Sequence, residues 1–171
     1  MRLDLADVYR EHYGSLVRFL YRRTGDPARA EDLAQEAFVR ALEHKPARPK
    51  PWLFTVAMNL ARDEQRKESV RRRHLTLVRA EVESRPLDPP ADVTIERQEE
   101  VHRVRAALAE LAERDRDALL LREEGFSYEE IAEQLGLAAG SVGTTLSRAR
   151  ARFVEAYGRV TKEEGEDHVA H

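Results

Sequence analysis

The chain has 171 residues, enough for one medium domain or two small ones, and its 42% hydrophobic and 36% charged content with only 8 Gly and 7 Pro favours helices over a sandwich or barrel. It contains no cysteine, which excludes disulfides and thiolate metal sites; it has no apolar run of membrane-spanning length, and its acidic, polar N-terminus is unlike a signal peptide, so no membrane association and a cytoplasmic location are expected. A net charge of −3 argues against a strongly basic nucleic-acid binder, yet the basic side chains are clustered: seven against three acidic ones from Arg62 to Arg79, and three arginines with no acid from Ala139 to Val154.

In chain order, Leu5, Val8, Tyr9, Leu16, Val17, Leu20 and Tyr21 recur at helical spacing, with a break expected near Gly14. Asp26-Pro27 predicts a second helix start, since Asp caps free N–H groups and Pro suits the first turn; that helix should run to about His44. The stretch from Lys45 to Pro51 contains three prolines and reads as a stiff, basic, non-helical loop. A third helix is expected from about Trp52 to Arg66 or Arg73, with Trp52, Leu53, Val56, Ala57 and Leu60 as its apolar face. Trp52 at the head of that face reads as core. Three such helices can share one bundle core. Periodicity is lost near Val82 to Val93, and Arg85-Pro86-Leu87-Asp88-Pro89-Pro90 reads as a linker. A helix from Ile95 to Ala112 and a short one from Asp115 to Glu124 follow, the latter with Ala118, Leu119 and Leu121 inside.

The stretch from Ser127 to Arg152 carries the most specific local signal. Ser127 followed by Glu130 is a capping-box pattern. Ile131, Ala132 and Leu135 fall on one face, and Gly136 supplies a C-terminal break because it tolerates positive φ. Val142 and Leu146 then face inward on a second helix that carries Arg148, Arg150 and Arg152. A small Ala, a Gly turn and an inward Val are what a DNA-reading helix-turn-helix needs, although an ordinary helical hairpin with a solvated basic face has a similar pattern. The tail from Lys162 onward is expected to be disordered. The fold class is thus all-α, with two helical modules joined by a flexible linker: residues 1–75, a linker over 76–98, a helix-turn-helix module over 99–160 and a tail over 161–171.

Three segments in this order carry a resemblance: Ala30-Glu31-Asp32-Leu33-Ala34-Gln35-Glu36-Ala37-Phe38, then Pro51-Trp52-Leu53-Phe54-Thr55-Val56-Ala57-Met58-Asn59-Leu60-Ala61-Arg62-Asp63, then Gly125-Phe126-Ser127-Tyr128-Glu129-Glu130-Ile131-Ala132. Together they resemble the extracytoplasmic-function sigma factors of bacterial RNA polymerase, over about residues 5 to 157. The resemblance implies that the first module binds core polymerase and reads and melts the −10 element, and that the second reads the −35 element. It implies promoter DNA and core polymerase (the β′ clamp helices and the β subunit) as partners, an anti-sigma factor as inhibitor, and a monomer when free.

On the Pro27–His44 helix the resemblance places polymerase docking on Asp32, Gln35, Glu36 and Arg40, which lie within a related surface stripe, while Leu33, Ala37 and Phe38 turn inward. The loop from Lys45 to Pro51 occupies the place where the family captures an unpaired base. Stacking and positive charge are needed to hold melted DNA, so Arg48, Lys50, Arg62, Arg66 and Lys67 are candidates for the backbone and Asn59 for a base edge. This loop is shorter and richer in proline than is usual in the family. On the recognition helix, Ala139, Gly140, Ser141, Gly143, Thr144, Ser147 and Arg148 are candidates to face the −35 element, with Arg148, Arg150 and Arg152 available to phosphates. Where the family commonly has Val-Lys-Ser-Arg-Leu, this chain has Val142-Gly143-Thr144-Thr145-Leu146, so weaker or shape-based −35 readout is expected.

Two rival readings have their own signatures. A stand-alone helix-turn-helix repressor would be a dimer on palindromic sites. A helical enzyme would draw on Glu99-x-x-His102, half of a di-iron carboxylate pattern, but no second such pair occurs, and neither a phosphate-binding Gly loop nor a nucleophile elbow is present. No cofactor, metal or catalytic residue is therefore expected.

Overall fold

A computed structural model describes residues 4–75 and 94–169. Among them the chain is helical, in two compact units. The first contains α1 (Leu5–Thr24), α2 (Pro27–His44) and α3 (Pro49–Leu75). The second contains α4 (Ile95–Ala109), α5 (Glu113–Glu123), α6 (Tyr128–Leu135), a 3₁₀ turn (Ala139–Ser141) and α7 (Val142–Val169).

In the first unit each helix packs on the other two. Helix α1 is unbroken through Gly14, against the expected interruption. Its buried apolar residues are Val8, Leu16, Phe19 and Leu20, while Tyr9 is left 43% exposed. The α2 start is as its sequence suggests: the Asp26 side chain accepts from the Arg29 N–H at 3.2 Å, with Pro27 in the first turn. Lys45 closes α2 with positive φ and donates its N–H to the Ala41 carbonyl.

The proline-rich stretch differs from expectation. Pro49, Lys50 and Pro51 form the first turn of α3, leaving only Lys45 to Arg48 as a connection. Proline is tolerated there because first-turn N–H groups have no partner within the helix; the Trp52 N–H is the one that donates back, to the Arg48 carbonyl. The buried face of α3 is also rotated from the expected one. Leu53, Phe54, Ala57, Met58 and Ala61 are inside, whereas Trp52, Val56 and Leu60 are half-buried. Phe54 meets Phe19 edge-on at 5.1 Å, and Trp52 lies near the His44 ring at 5.5 Å. Arg29 ties α2 to α3 through Glu64 and Glu68, at 2.8 and 3.1 Å.

In the second unit α7 packs along α4 and α5, and α6 packs on α5 and α7. Ala107, Leu108, Leu111, Ala118, Leu120, Leu121, Phe126, Ile131, Val142, Leu146, Ala149 and Ala156 form its core. Ile95, at the head of α4, is exposed instead. The Tyr157 hydroxyl donates to Glu100 at 2.8 Å, and Arg103 bridges Glu100 and Glu164. Arg159 pairs with Glu110. Helix α7 continues through Val169, where a disordered tail was expected over 161–171, and among these cross-links the Arg103–Glu164 pair falls within that stretch. Most of the linker expected over 76–98 lies outside the described residues; Thr94 caps α4 within it. No described helix is long and apolar enough to cross a membrane.

Candidate functional site

The outward face of α2 follows from its period. Buried residues Ala30, Leu33, Ala34, Ala37, Phe38 and Ala41 occupy one side, which leaves Asp32, Gln35, Glu36 and Arg40 exposed on the other. Arg40 donates from Nε to Glu36 Oε1 at 2.9 Å, one turn earlier. Both side chains are about half exposed, so this is a weak, solvated pair. Two apolar residues of the same surface escaped the sequence reading: Val39 is 51% and Leu42 55% exposed. Their signal was available, because positions seven residues after Asp32 and after Gln35 fall on the same stripe. Tyr9 stands at the α1–α2 border, stacked on Tyr13 at 4.5 Å and edge-on to Phe38 at 5.0 Å.

A second surface lies on α3. Thr55, Asn59, Arg62 and Arg66 recur every three or four residues opposite the buried face, with Lys67 on the flank. Asn59, Arg66 and Lys67 are exposed and Arg62 is half-buried. Arg48 is exposed at the head of the helix. Lys50 is half-buried and close enough to act on His12: burial and then the Lys50 charge lower the His12 pKa, against the opposing pull of Glu11.

The third surface is the helix-turn-helix. Both arms of the capping box are present: Ser127 Oγ accepts from the Glu130 N–H at 3.2 Å, and the Ser127 N–H donates to Glu130 Oε2 at 2.9 Å. Gly136 takes φ of 63°, the left-handed conformation that the turn requires. Val142 and Leu146 are fully buried, which fixes the rotation of α7. Ser141, Thr144 and Ser147 consequently face solvent, and Gly143 lies beside the Tyr128 ring, where an added Cβ would sit at 3.6 Å in ordinary contact.

The three arginines of α7 do not form one cluster. Arg150 emerges on the opposite edge of the helix from Arg148 and Arg152. Arg148 and Arg152 both reach Asp115, in the first turn of α5, whose side chain is only 2% exposed. Arg148 donates to both carboxylate oxygens, Nη2 to Oδ1 at 2.7 Å and Nε to Oδ2 at 3.2 Å, and Arg152 Nη1 donates to Oδ2 at 3.1 Å. The hydrogen bonds from Arg148 hold the Asp115 carboxyl below its ordinary pKa despite the opposing effect of burial. Sequence reasoning missed Asp115, whose partners lie more than thirty residues away. Glu99 and His102 are both exposed, and no group of metal-ligating side chains occurs among the described residues.

Comparison with known proteins gives the same order of parts. Residues 8–71 match the family model for Sigma-70 region 2, and residues 102–153 match that for Sigma-70, region 4. The chain is 31% identical to RNA polymerase sigma factor YlaC of Bacillus subtilis (strain 168), over 98% of this chain and 98% of that protein. It is 36% identical to ECF RNA polymerase sigma factor SigL of Mycobacterium tuberculosis (strain ATCC 25618 / H37Rv), over 83% and 82%. Among solved structures, the sigma factor RpoE in its co-crystal with the anti-sigma factor NepR from Bartonella quintana matches with a TM-score of 0.71 at 26% identity, covering 90% of this chain and 96% of that one.

Proposed function

Because the chain belongs to the extracytoplasmic-function sigma factors, which bind core RNA polymerase and direct it to promoters, we propose a division of labour between its two modules. Residues 1–75 dock on the polymerase and hold the melted −10 element; residues 99–160 anchor on the −35 element and contact the β subunit; residues 76–98 join them.

Docking falls to the outward face of α2. Asp32, Gln35 and Glu36 offer carboxylates and an amide that match basic partner groups, and Arg40 sets the margin. The observation that carries this reading is the exposure of Val39 and Leu42 within that polar stripe. Apolar side chains ringed by polar ones give an interface a dry centre and a solvated rim, and the β′ clamp helices are the partner assigned to it. Promoter DNA falls to Arg48, Lys50, Asn59, Arg62, Arg66 and Lys67 in the first module, where charge follows the backbone and Asn59 offers both donor and acceptor to a base. In the second module it falls to Ser141, Gly143, Thr144, Ser147 and Arg148, with Arg150 and Arg152 at the flanks. The free protein is a monomer in the cytoplasm and is held inactive by an anti-sigma protein, a partner suggested by the NepR complex of the RpoE structure.

Co-elution with bacterial core polymerase on size exclusion at moderate salt tests the docking surface. Wild-type protein should co-elute in stoichiometric amount. The Gln35→Ala/Glu36→Ala variant should keep its fold and lose at least about ten-fold in affinity, the loss of a small number of interface contacts. Undiminished affinity in that variant would move docking off α2.

A further inference from the structure

Asp115 has no place in the division of labour above. A carboxylate that is 2% exposed is costly unless fully partnered, and its partners here are the two arginines one turn apart on the edge of the recognition helix. Their own side chains remain about half exposed, at 47% and 55%. Each guanidinium is thus tied at its inner edge and open at its outer edge. A guanidinium carries five N–H donors in a rigid plane, so the Arg148 group, held by Asp115 through Nε and Nη2, leaves Nη1 and the outer hydrogen of Nη2 uncommitted to that carboxylate.

Two consequences follow from elementary physics. An arginine ordered in the free protein loses less side-chain entropy when it meets DNA, and the angle of its plane is set in advance. A buried negative charge between two positive ones also removes about one unit of the charge that the pair would present to any duplex, which weakens attraction independent of sequence. We propose that Asp115 is a positioning residue for −35 recognition: it orients Arg148 and Arg152 and trims their attraction for non-promoter DNA. This rests on the assignment of α7 to the −35 element. It also offers a compensation for the missing basic side chains at Gly143 and Thr145, since a pre-ordered Arg148 discriminates better than a mobile one.

The test uses holoenzyme reconstituted from the full chain and core polymerase, a promoter fragment selected by that holoenzyme, and the same fragment with its −35 hexamer scrambled. Binding to both is measured across a salt series. Asp115→Asn should bind the scrambled fragment more tightly, with a salt slope steeper by about one. Its preference for the intact −35 element should fall about ten-fold. Arg148→Lys keeps the charge and loses the two-point contact, so its preference should fall while the salt slope stays at the wild-type value. A merely structural role for Asp115 would change melting temperature but neither quantity. Wild-type slope and preference in a folded Asp115→Asn protein overturn the proposal, as does wild-type preference in Arg148→Lys if Asp115→Asn fails to fold. Equal binding of the intact and scrambled fragments by the wild-type holoenzyme would instead remove the −35 assignment of α7 on which the proposal stands.

Discussion

Gly143 sits at the second position of α7, with nothing closer to an added Cβ than the Tyr128 ring at 3.6 Å. The chain itself therefore does not require glycine there. Gly143→Ala should raise unfolding stability by up to about 1 kcal/mol, since Ala loses less backbone entropy in a helix. Urea titration of the full chain measures this. A simultaneous loss of promoter binding would identify close approach of the backbone to DNA as the reason for the glycine; undiminished binding would remove Gly143 from the interface. Asp115 makes a second prediction, in pH. Its carboxyl titrates below its unfolded value of about 3.9, so the stabilisation is fully present above that value and is lost as pH falls through the folded one. The second module should therefore weaken below about pH 4, and Asp115→Asn should flatten that part of the profile. Melting temperature followed from pH 6 to pH 3 decides; an unchanged acid profile in the variant would mean the carboxylate is not stabilised by its arginines.

Helix α6 shows how a short element is defined by its ends. It spans Tyr128–Leu135, too short to persist alone, and its start is held by the reciprocal Ser127–Glu130 bonds. Ser127→Ala removes the acceptor for the Glu130 N–H and should cost about 1 kcal/mol of stability. Thermal unfolding of the full chain checks this, and a cost under about 0.3 kcal/mol would show that packing of Ile131 and Leu135 alone holds the helix. Helix α3 shows the opposite case. Its first turn holds two prolines and was expected to be loop, and its buried face includes Phe54, which meets Phe19, while Trp52 and Val56 are only half-buried.

At the scale of the whole molecule, polymerase docking and promoter opening are assigned to different faces of the first unit, α2 and α3. They should therefore separate by mutation. Asn59→Ala and Arg62→Ala should leave co-elution with polymerase unchanged and reduce open-complex formation several-fold, as loss of a base or phosphate contact does. Permanganate footprinting of promoter thymines reads the opening directly. Equal opening in both variants would show that melted DNA is held by other residues.

The amino-acid sequence by itself determined the helical class, the two modules, the family, and the ends of α2 and α6. The helix ends depend on neighbours three residues apart, Asp26 with Arg29 and Ser127 with Glu130, and on Gly136 at its own φ. The outward set of α2 was legible for the same reason, since Leu33, Ala37 and Phe38 inside place Asp32, Gln35 and Glu36 outside. Only the tertiary structure decided which face of α3 is buried, that Pro49–Pro51 are helical, that α7 continues beyond residue 160, and that Arg148 and Arg152 share a buried carboxylate. The buried face of α3, the reach of α7 and the shared carboxylate depend on contacts between elements far apart in the chain, Phe19 with Phe54, Arg103 with Glu164, Asp115 with Arg148, whereas the prolines of α3 are tolerated because first-turn N–H groups need no partner. Local hydrogen bonding and periodicity say that a helix forms and where it starts; only its neighbours choose the angle at which it is rolled.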